Sequence, residues 1–399
     1  MTDPRSILVV KMSALGDVIH ALPCLHALRT MFPRARISWL VEPQFAPLLP
    51  GPPLLDEAVI FRKNDLRRLS LRGRLAYLRE LRRELRTRRF DLALDLQGLL
   101  KSTLPILLSG ARRRLGYCEM REGSFLFTKP VRGPHADGHV VQRYLDVVRS
   151  LGPIPEETVF PLPDFSAETA QVRALLAAQQ APAPWAVLFP GAGWTSKLWP
   201  AIKYAQLARR LAELGLTPVI GGAPGEAELG RQIIQLAAPL KPADLVGRTS
   251  LRELMALTAQ AAVCVGADTG PLHLAAAAGS PTVSLFGPSS GERAGTYGPL
   301  SRYVSGGAEC SPCFKRRCPK KTAFCMDLID VETVWEACLE SLAAGRQAKS
   351  DPQKSGPQKS DRQKSDLKKS DLKKSDHQKP GPQPADGRPA RAESPTSDA

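Results

Sequence analysis

Apolar residues along this chain come in short runs separated by polar turns, and their spacing alternates between two periods. Residues 6–11 (SILVVK) form a β-branched run that fits a strand; 17–31 fit a helix; 36–42 (RISWLVE) fit a second strand, giving one βαβ unit. FDLALDLQG predicts a third apolar strand, with a further helix from about Lys101. The stretch 151–165 (LGPIPEETVFPLPDF) interrupts the rhythm with four prolines and reads as a linker. The alternation then resumes. WAVLFPGAGW predicts a strand running into a glycine turn, Pro200 to Glu213 a helix, and LTPVIGGAPGE another strand and turn. AAVCVGADTGPLHLAAAAGSPTVSLFG packs strand, turn, alanine-rich helix and strand into 27 residues. Strands that alternate with helices require parallel sheets, so the pattern predicts an α/β protein of two doubly wound halves around a shared cleft.

Beyond about Gly345 the pattern stops. KSDPQKSGPQKSDRQKSDLKK repeats every five residues with almost no apolar content, a period that suits neither helix nor strand, and 346–399 is expected to be a disordered tail. The three segments are thus 1–160, 161–345 and 346–399. At 399 residues the chain exceeds one ordinary core, and 43% apolar content suffices for two. The opening MTDPRSILVVK is too short in apolar length for a secretory signal, and no apolar run approaches a membrane span, so a cytoplasmic location is expected.

Charge sharpens this picture. The formal excess is +16, of which the tail carries +5. Residues 61–90 hold twelve Lys or Arg against three acids, and Leu66, Leu69, Leu75, Leu78, Leu81 and Leu85 recur at mostly helical spacing, which predicts one amphipathic helix over 62–89 with an arginine-rich face. Such a face is either simply solvated or meets an anionic partner: nucleic acid, acidic headgroups or a phosphorylated substrate.

The chemistry concentrates in strand-to-helix turns. In LFPGAGWTSKLWP, Gly191 and Gly193 allow a ligand close to the backbone, and a helix expected from Trp199 or Pro200 would offer free amide hydrogens for a diphosphate, with Lys197 as the mobile cation. A glycine turn with a surface lysine reads equally well. In GADTGPLHLAAA, Asp268 and Thr269 follow a strand, Gly270 permits close approach and His273 lies on the next helical turn. Asp268 could merely cap that helix and His273 merely satisfy a carbonyl. With Glu226 in GGAPGEAE, however, three successive loops of one half present polar groups to one place. Asp17, in SALGDVIH, is either an N-cap or a general base across the cleft from them. A base placed at a helix N-terminus serves best where the proton leaves late.

KMSALGDVIHALP, DLQGLLKS, PGAGWTSKLWP, GGAPGE, DTGPLHLAAAAGSPTVSLFGPSS and GTYGP, in order from about residue 6 to 340, resemble glycosyltransferase family 9, the lipopolysaccharide heptosyltransferases. The first two blocks look more like heptosyltransferase I than II. The resemblance implies a GT-B fold, two Rossmann-like domains facing a central cleft, with acceptor in the first and donor nucleotide in the second. It implies Asp17 as catalytic base, Lys197 on the donor diphosphate, Glu226 on the donor ribose, and Asp268, Thr269, Gly270 and His273 around the donor. Ala192 and Gly193 stand where hydroxyl residues often precede the lysine, so their part falls to backbone amides. Ser13, Gly16 and Lys101 are acceptor-side candidates, Gly16 leaving room for the acceptor.

The implied reaction is inverting transfer from ADP-L-glycero-D-manno-heptose to the Kdo of the lipopolysaccharide inner core, at the inner face of the cytoplasmic membrane, where the arginine face would meet Kdo carboxylates and lipid A phosphates. No Asp-x-Asp triplet occurs, so no metal and no other cofactor is expected to be required. CSPCFKRRCPKKTAFC, with Cys310, Cys313, Cys318 and Cys325, is either a zinc site or a set of free thiols. Two alternatives remain: a family 9 enzyme for another sugar nucleotide or acceptor, and a polyanion-binding protein. The second lacks the base-stacking aromatics that nucleic-acid recognition needs, and no nucleic acid is expected.

Overall fold

The computed structural model describes residues 3–320 and 324–350. The first half runs β1 (Ser6–Val10), α1 (Leu15–Met31), β2 (Arg36–Val41), β3 (Glu57–Ile60), α2 (Lys63–Arg68), α3 (Leu71–Thr87), β4 (Leu92–Asp95), α4 (Leu100–Ser109), β5 (Arg113–Tyr117), β6 (Lys129–Val131) and α5 (Val140–Arg149). The second runs α6 (Ser166–Ala177), β7 (Trp185–Phe189), α7 (Ala201–Glu213), β8 (Thr217–Gly222), α8 (Ala227–Ala237), β9 (Ala243–Val246), α9 (Leu251–Gln260), β10 (Val263–Ala267), α10 (Gly270–Ala277), β11 (Thr282–Phe286), α11 (Gly291–Ala294), β12 (Ser301–Ser305), α12 (Phe324–Asp327) and α13 (Val331–Ser350).

Two six-stranded, wholly parallel sheets result, in the orders β3-β2-β1-β4-β5-β6 and β12-β11-β10-β7-β8-β9. Read from opposite ends they share one topology. In each, the order reverses between two central strands, β1 and β4 or β7 and β10, and a crevice opens beyond their carboxyl ends. The central strands β1, β4, β7 and β10 are buried along their whole length, which is why they read as continuous apolar runs.

Helix α1 is apolar nearly all round, and ten of its residues are buried. That burial comes from the first half's core and α5 and, about equally with α5, from α10 of the other half, whose Leu274 belongs to the same core cluster as Ile19 and Leu22. The two halves therefore share a core at α1 and α10.

Three expectations are corrected here. The basic segment is two helices, not one: the Ser70 hydroxyl accepts the Gly73 amide at 3.3 Å and starts a new helix, so α2 and α3 are separate. Only Leu81 and Leu85 of the expected leucine stripe are buried, against the β1–β4 face. Residues 346–350 of the expected tail are helical, because α13 continues to Ser350; residues 351–399 of that segment lie outside the described residues. Residues 151–165 carry no helix or strand, as the prolines imply.

Candidate active site at two switch points

At the first switch point, β1 runs into a loop that Gln97 holds from the neighbouring strand: its Oε1 accepts the amides of Met12 and Ser13 at 3.1 and 3.2 Å. Gln97 is held in turn by buried Asp95, whose Oδ1 accepts the amides of Gln97 and Gly98. Helix α1 then starts two residues earlier than expected. Ala14 is its N-cap, and Asp17, on the first turn, reaches back to accept the Ala14 amide at 3.3 Å. Asp17 is thus not the N-cap residue. Its side chain keeps 47% of its exposure, enough for a ligand to reach the carboxylate.

Beneath it lies the buried ammonium of Lys11, 3.9 Å from Asp17 Oδ1, donating to the Leu96 carbonyl at 3.0 Å and the Tyr144 hydroxyl at 2.7 Å. Burial lowers the Lys11 pKa, and the charges of Asp17 and Asp95 oppose that shift. Lys101, at the start of α4, donates to Ser13 Oγ at 3.4 Å, while Lys63 stands 3.8 Å from Glu42 Oε1, which has no hydrogen-bond partner. Burial lowers the Lys101 pKa, and Lys63 adds to the effect. Two of the acceptor-side candidates, Ser13 and Lys101, therefore come together beside Asp17.

Gly16 does not. A Cβ there would lie 2.7 Å from His273 Cδ2, so the space the sequence reading gave to an acceptor belongs to a histidine of the other half. Gly270 is the reciprocal case: its Cβ would lie 2.5 Å from Leu15 Cδ2, and the close approach it permits is that of α1, not of a ligand.

At the second switch point the three loops expected to converge do so. Gly191 faces Glu226 so closely that a Cβ would stand 1.9 Å from the Glu226 carboxyl carbon. Glu226 accepts the Ala223 amide at 2.8 Å, and burial raises its pKa. Ala192 is partly buried against the core, whereas Gly193 has open space around its Cα. The helix expected from 199 or 200 begins at Ala201 with Pro200 as cap, and Lys197 lies on a separate short turn, Thr195–Lys197. That turn is braced by the cysteine-bearing segment: Ser196 Oγ donates to the Lys315 carbonyl at 2.7 Å. The Trp194 ring lies under both Lys197 and Arg316, 4.6 and 5.9 Å from its centroid.

Lys197 Nζ donates to Asp268 Oδ2 at 2.6 Å, Ser289 Oγ to the same oxygen at 2.8 Å, and His273 Nε2 stands 3.1 Å from Oδ1. Burial disfavours the Asp268 charge, but His273 and Lys197 more than offset it, and the carboxyl is held well below the usual carboxylate range. Neither modest reading survives for this loop. The N-cap of α10 is Thr269, and His273 serves a carboxylate instead of a carbonyl. Thr269 Oγ1 is buried without a hydrogen-bond partner, an acceptor and donor left for something else.

The row continues into the first half. A carboxylate only accepts, so His273 Nε2 carries a hydrogen; its Nδ1 lies 3.1 Å from Nε2 of His20 on α1. Burial, then His273, pushes the His20 pKa well below the ordinary value. Farther along the seam His139 Nε2 donates to the Gly295 carbonyl at 2.9 Å, and Glu119 binds both Arg143 and Arg293. His20, Lys11, Gln97, Ser289 and Trp194 also belong to this candidate site, and sequence reasoning did not single them out. All five stood inside quoted blocks, Lys11 and His20 in KMSALGDVIHALP, Gln97 in DLQGLLKS, Trp194 in PGAGWTSKLWP and Ser289 in the DTGPLH block, but none carried a separate signal.

The four cysteines Cys310, Cys313, Cys318 and Cys325 form no disulfide, and among the described residues no group of three or more His, Cys, Asp or Glu is placed to hold a metal.

The family description "Glycosyltransferase family 9 (heptosyltransferase)" matches residues 78–323, more than half the chain. The chain belongs to glycosyltransferase family 9. Lipopolysaccharide heptosyltransferase 1 of Pseudomonas aeruginosa is 33% identical over 322 residues, covering 78% of this chain and 87% of that one. A family 9 glycosyl transferase from Veillonella parvula superposes with a TM-score of 0.74 at 21% identity, covering 85% and 97% of the two chains. E. coli heptosyltransferase WaaC with ADP gives 0.65 at 23% identity, covering 84% and 99%. The fold expected of this glycosyltransferase, two Rossmann-like halves of GT-B type, is the one observed.

Proposed function

We propose that this family 9 enzyme transfers heptose from ADP-L-glycero-D-manno-heptose to the Kdo of the lipopolysaccharide inner core, with inversion at the anomeric carbon. One observation carries the reading: a continuous polar row, Lys197–Asp268–His273–His20, runs from the donor loops into the helix that bears Asp17. Base and leaving-group site thus belong to one connected structure. The names of the relatives, lipopolysaccharide heptosyltransferase 1 and a heptosyltransferase with ADP, support the choice of sugar and nucleotide.

In this mechanism Asp17 takes the proton of an acceptor hydroxyl as the new C–O bond forms and the bond to ADP breaks on the opposite face. Charge gathering on the diphosphate falls on Lys197 and on the backbone amides of residues 191–194. Glu226 receives the ribose hydroxyls, and Thr269 Oγ1 supplies a further polar contact to the donor. Ser13 and Lys101 hold the acceptor beside Asp17, Lys101 by pairing with its carboxylates. No metal is required, because lysine and amides take the charge a cation would otherwise neutralise.

The test is transfer from ADP-heptose to Kdo-lipid A by the wild type and by Asp17→Ala, each with and without excess chelator. Wild-type turnover in chelator and its loss in the variant are expected. Loss of wild-type turnover on chelation would remove the metal-free mechanism, and equal turnover with another sugar nucleotide would move the enzyme to a different donor.

A further inference from the structure

Large apolar side chains exposed to solvent are unevenly spread among the described residues. Eight of the fifteen lie on three neighbouring segments of the first half: Leu69, Leu71 and Leu75 around the start of α3, Leu100 and Leu104 at the start of α4, and the Phe-Leu-Phe run 125–127 between β5 and β6; the other seven are scattered over the second half. Leu71 is 75% and Leu126 74% exposed, values that packing of the chain on itself does not explain.

Topology brings these segments together. The α2–α3 pair and α4 follow β3 and β4 at the carboxyl edge of one parallel sheet, the edge that carries Asp17, and the turn that leaves β5 at that edge leads through 125–127 into β6. Helices α3 and α4 pack side by side, and the turn after β5 is fastened to the start of α4: the Leu100 amide donates to Glu122 Oε2 at 3.1 Å, and Ser124 Oγ donates to the Gly98 carbonyl at 3.1 Å. The exposed leucines at the starts of α3 and α4 are spaced i, i+4, so each pair projects from one side of its helix. Exposed cations are interleaved with them: Arg72 and Arg74 on α3, Arg121 and Lys129 around the aromatic run.

We infer that this edge docks on an anionic lipid bilayer. The apolar side chains enter the boundary between headgroups and acyl chains while the interleaved arginines and lysines meet lipid phosphates. The chemistry favours a bilayer over a protein partner or a second copy, since the cores of protein interfaces are depleted of charge and here cations and apolar tips alternate. Lys101, next to Leu100, reaches the Ser13 hydroxyl beside Asp17, so docking here would turn the mouth of the acceptor site toward the membrane. That last consequence rests on the proposed function, whose acceptor is lipid-anchored.

The experiment is co-sedimentation of the full chain, without donor or acceptor, with phosphatidylcholine vesicles and with vesicles containing phosphatidylglycerol. The wild type should bind the anionic vesicles and not the neutral ones. Phe125→Glu combined with Leu126→Glu should weaken that binding by about tenfold or more, while ADP affinity and melting temperature stay as in the wild type. Leu339→Glu, at an exposed leucine of α13, should change nothing.

Equal anionic-vesicle binding by wild type and double variant overturns the inference. So does a wild-type dimer that the double variant dissociates while no vesicle binds, a result that gives the face to a second copy. Because binding is measured without substrates, vesicle binding by a chain that transfers no heptose would sink the proposed function and leave this inference standing.

Discussion

The two switch points share a topology and differ in how completely their polar groups are paired. In the second half the Asp268 carboxylate already has Lys197, Ser289 and His273 as partners, and Glu226 is tied to the Ala223 amide. In the first half Asp17 accepts one long hydrogen bond of 3.3 Å, Lys101 reaches Ser13 only at 3.4 Å, and Glu42 Oε1 has no hydrogen-bond partner. The second switch point is thus preorganised but for Thr269 Oγ1, and the first is left with more unspent hydrogen-bonding capacity. The difference suits an enzyme whose leaving group needs fixed charges in place before reaction and whose base must stay accessible.

The largest effect should come from the open side. Asp17→Asn keeps the shape and removes the proposed base, and kcat should fall by roughly 10²–10⁴-fold, the usual worth of a general base, with ADP affinity unchanged by calorimetry. An equal fall in ADP affinity would mean that Asp17 acts on the donor, and the contrast between the halves would collapse. Lys197→Ala comes next, at about 10²–10³-fold in kcat for a lost charge-stabilising donor, with weaker ADP binding as well. Here both readouts should move, which distinguishes it from Asp17.

His20→Ala tests whether the row between the halves matters to either. A drop of about tenfold in kcat is expected, on the order of the 1–1.5 kcal/mol that one buried hydrogen bond contributes. Combined with His273→Ala it should add little more, because the two imidazoles share one interaction. Full additivity would show that they act separately.

The smallest effect on activity at neutral pH, but a clear one on stability, is expected at the seam. Burial lowers the His139 pKa to about 4. Its folded value lies below its unfolded one, so the unfolded state binds more protons between those two values. Stability is therefore full above the unfolded pKa and declines as pH falls toward 4, with about 2 kcal/mol lost by pH 5 from this group alone. His139→Gln should flatten that part of the curve in urea titrations at pH 7 and pH 5; an unchanged slope would assign the pH dependence elsewhere along the seam, to His20 first.

Much of this was legible from local pattern, and the exceptions have identifiable causes. The convergence of Lys197, Glu226 and Asp268 could be expected, because parallel topology fixes where strand-to-helix loops end. The single basic helix failed at Ser70, where a side-chain cap competes with a leucine period that continues past it. Gly16 and Gly270 were read as ligand clearances because a glycine reports only that something comes close, not what; here it is the opposite half.

By itself the sequence determined the alternation of strands with helices, the parallel sheets that follow from it, and where the main strand-to-helix loops lie, since hydrophobic periodicity and chain connectivity are local and nearly sufficient for these. Tertiary structure alone decided the pairing of His20 with His273, the use of Asp268 as anchor rather than cap, and the burial of Lys11 beneath Asp17. Each joins side chains many residues apart, and their partners are fixed by how the sheets and the helices α1 and α10 pack, which no local pattern encodes.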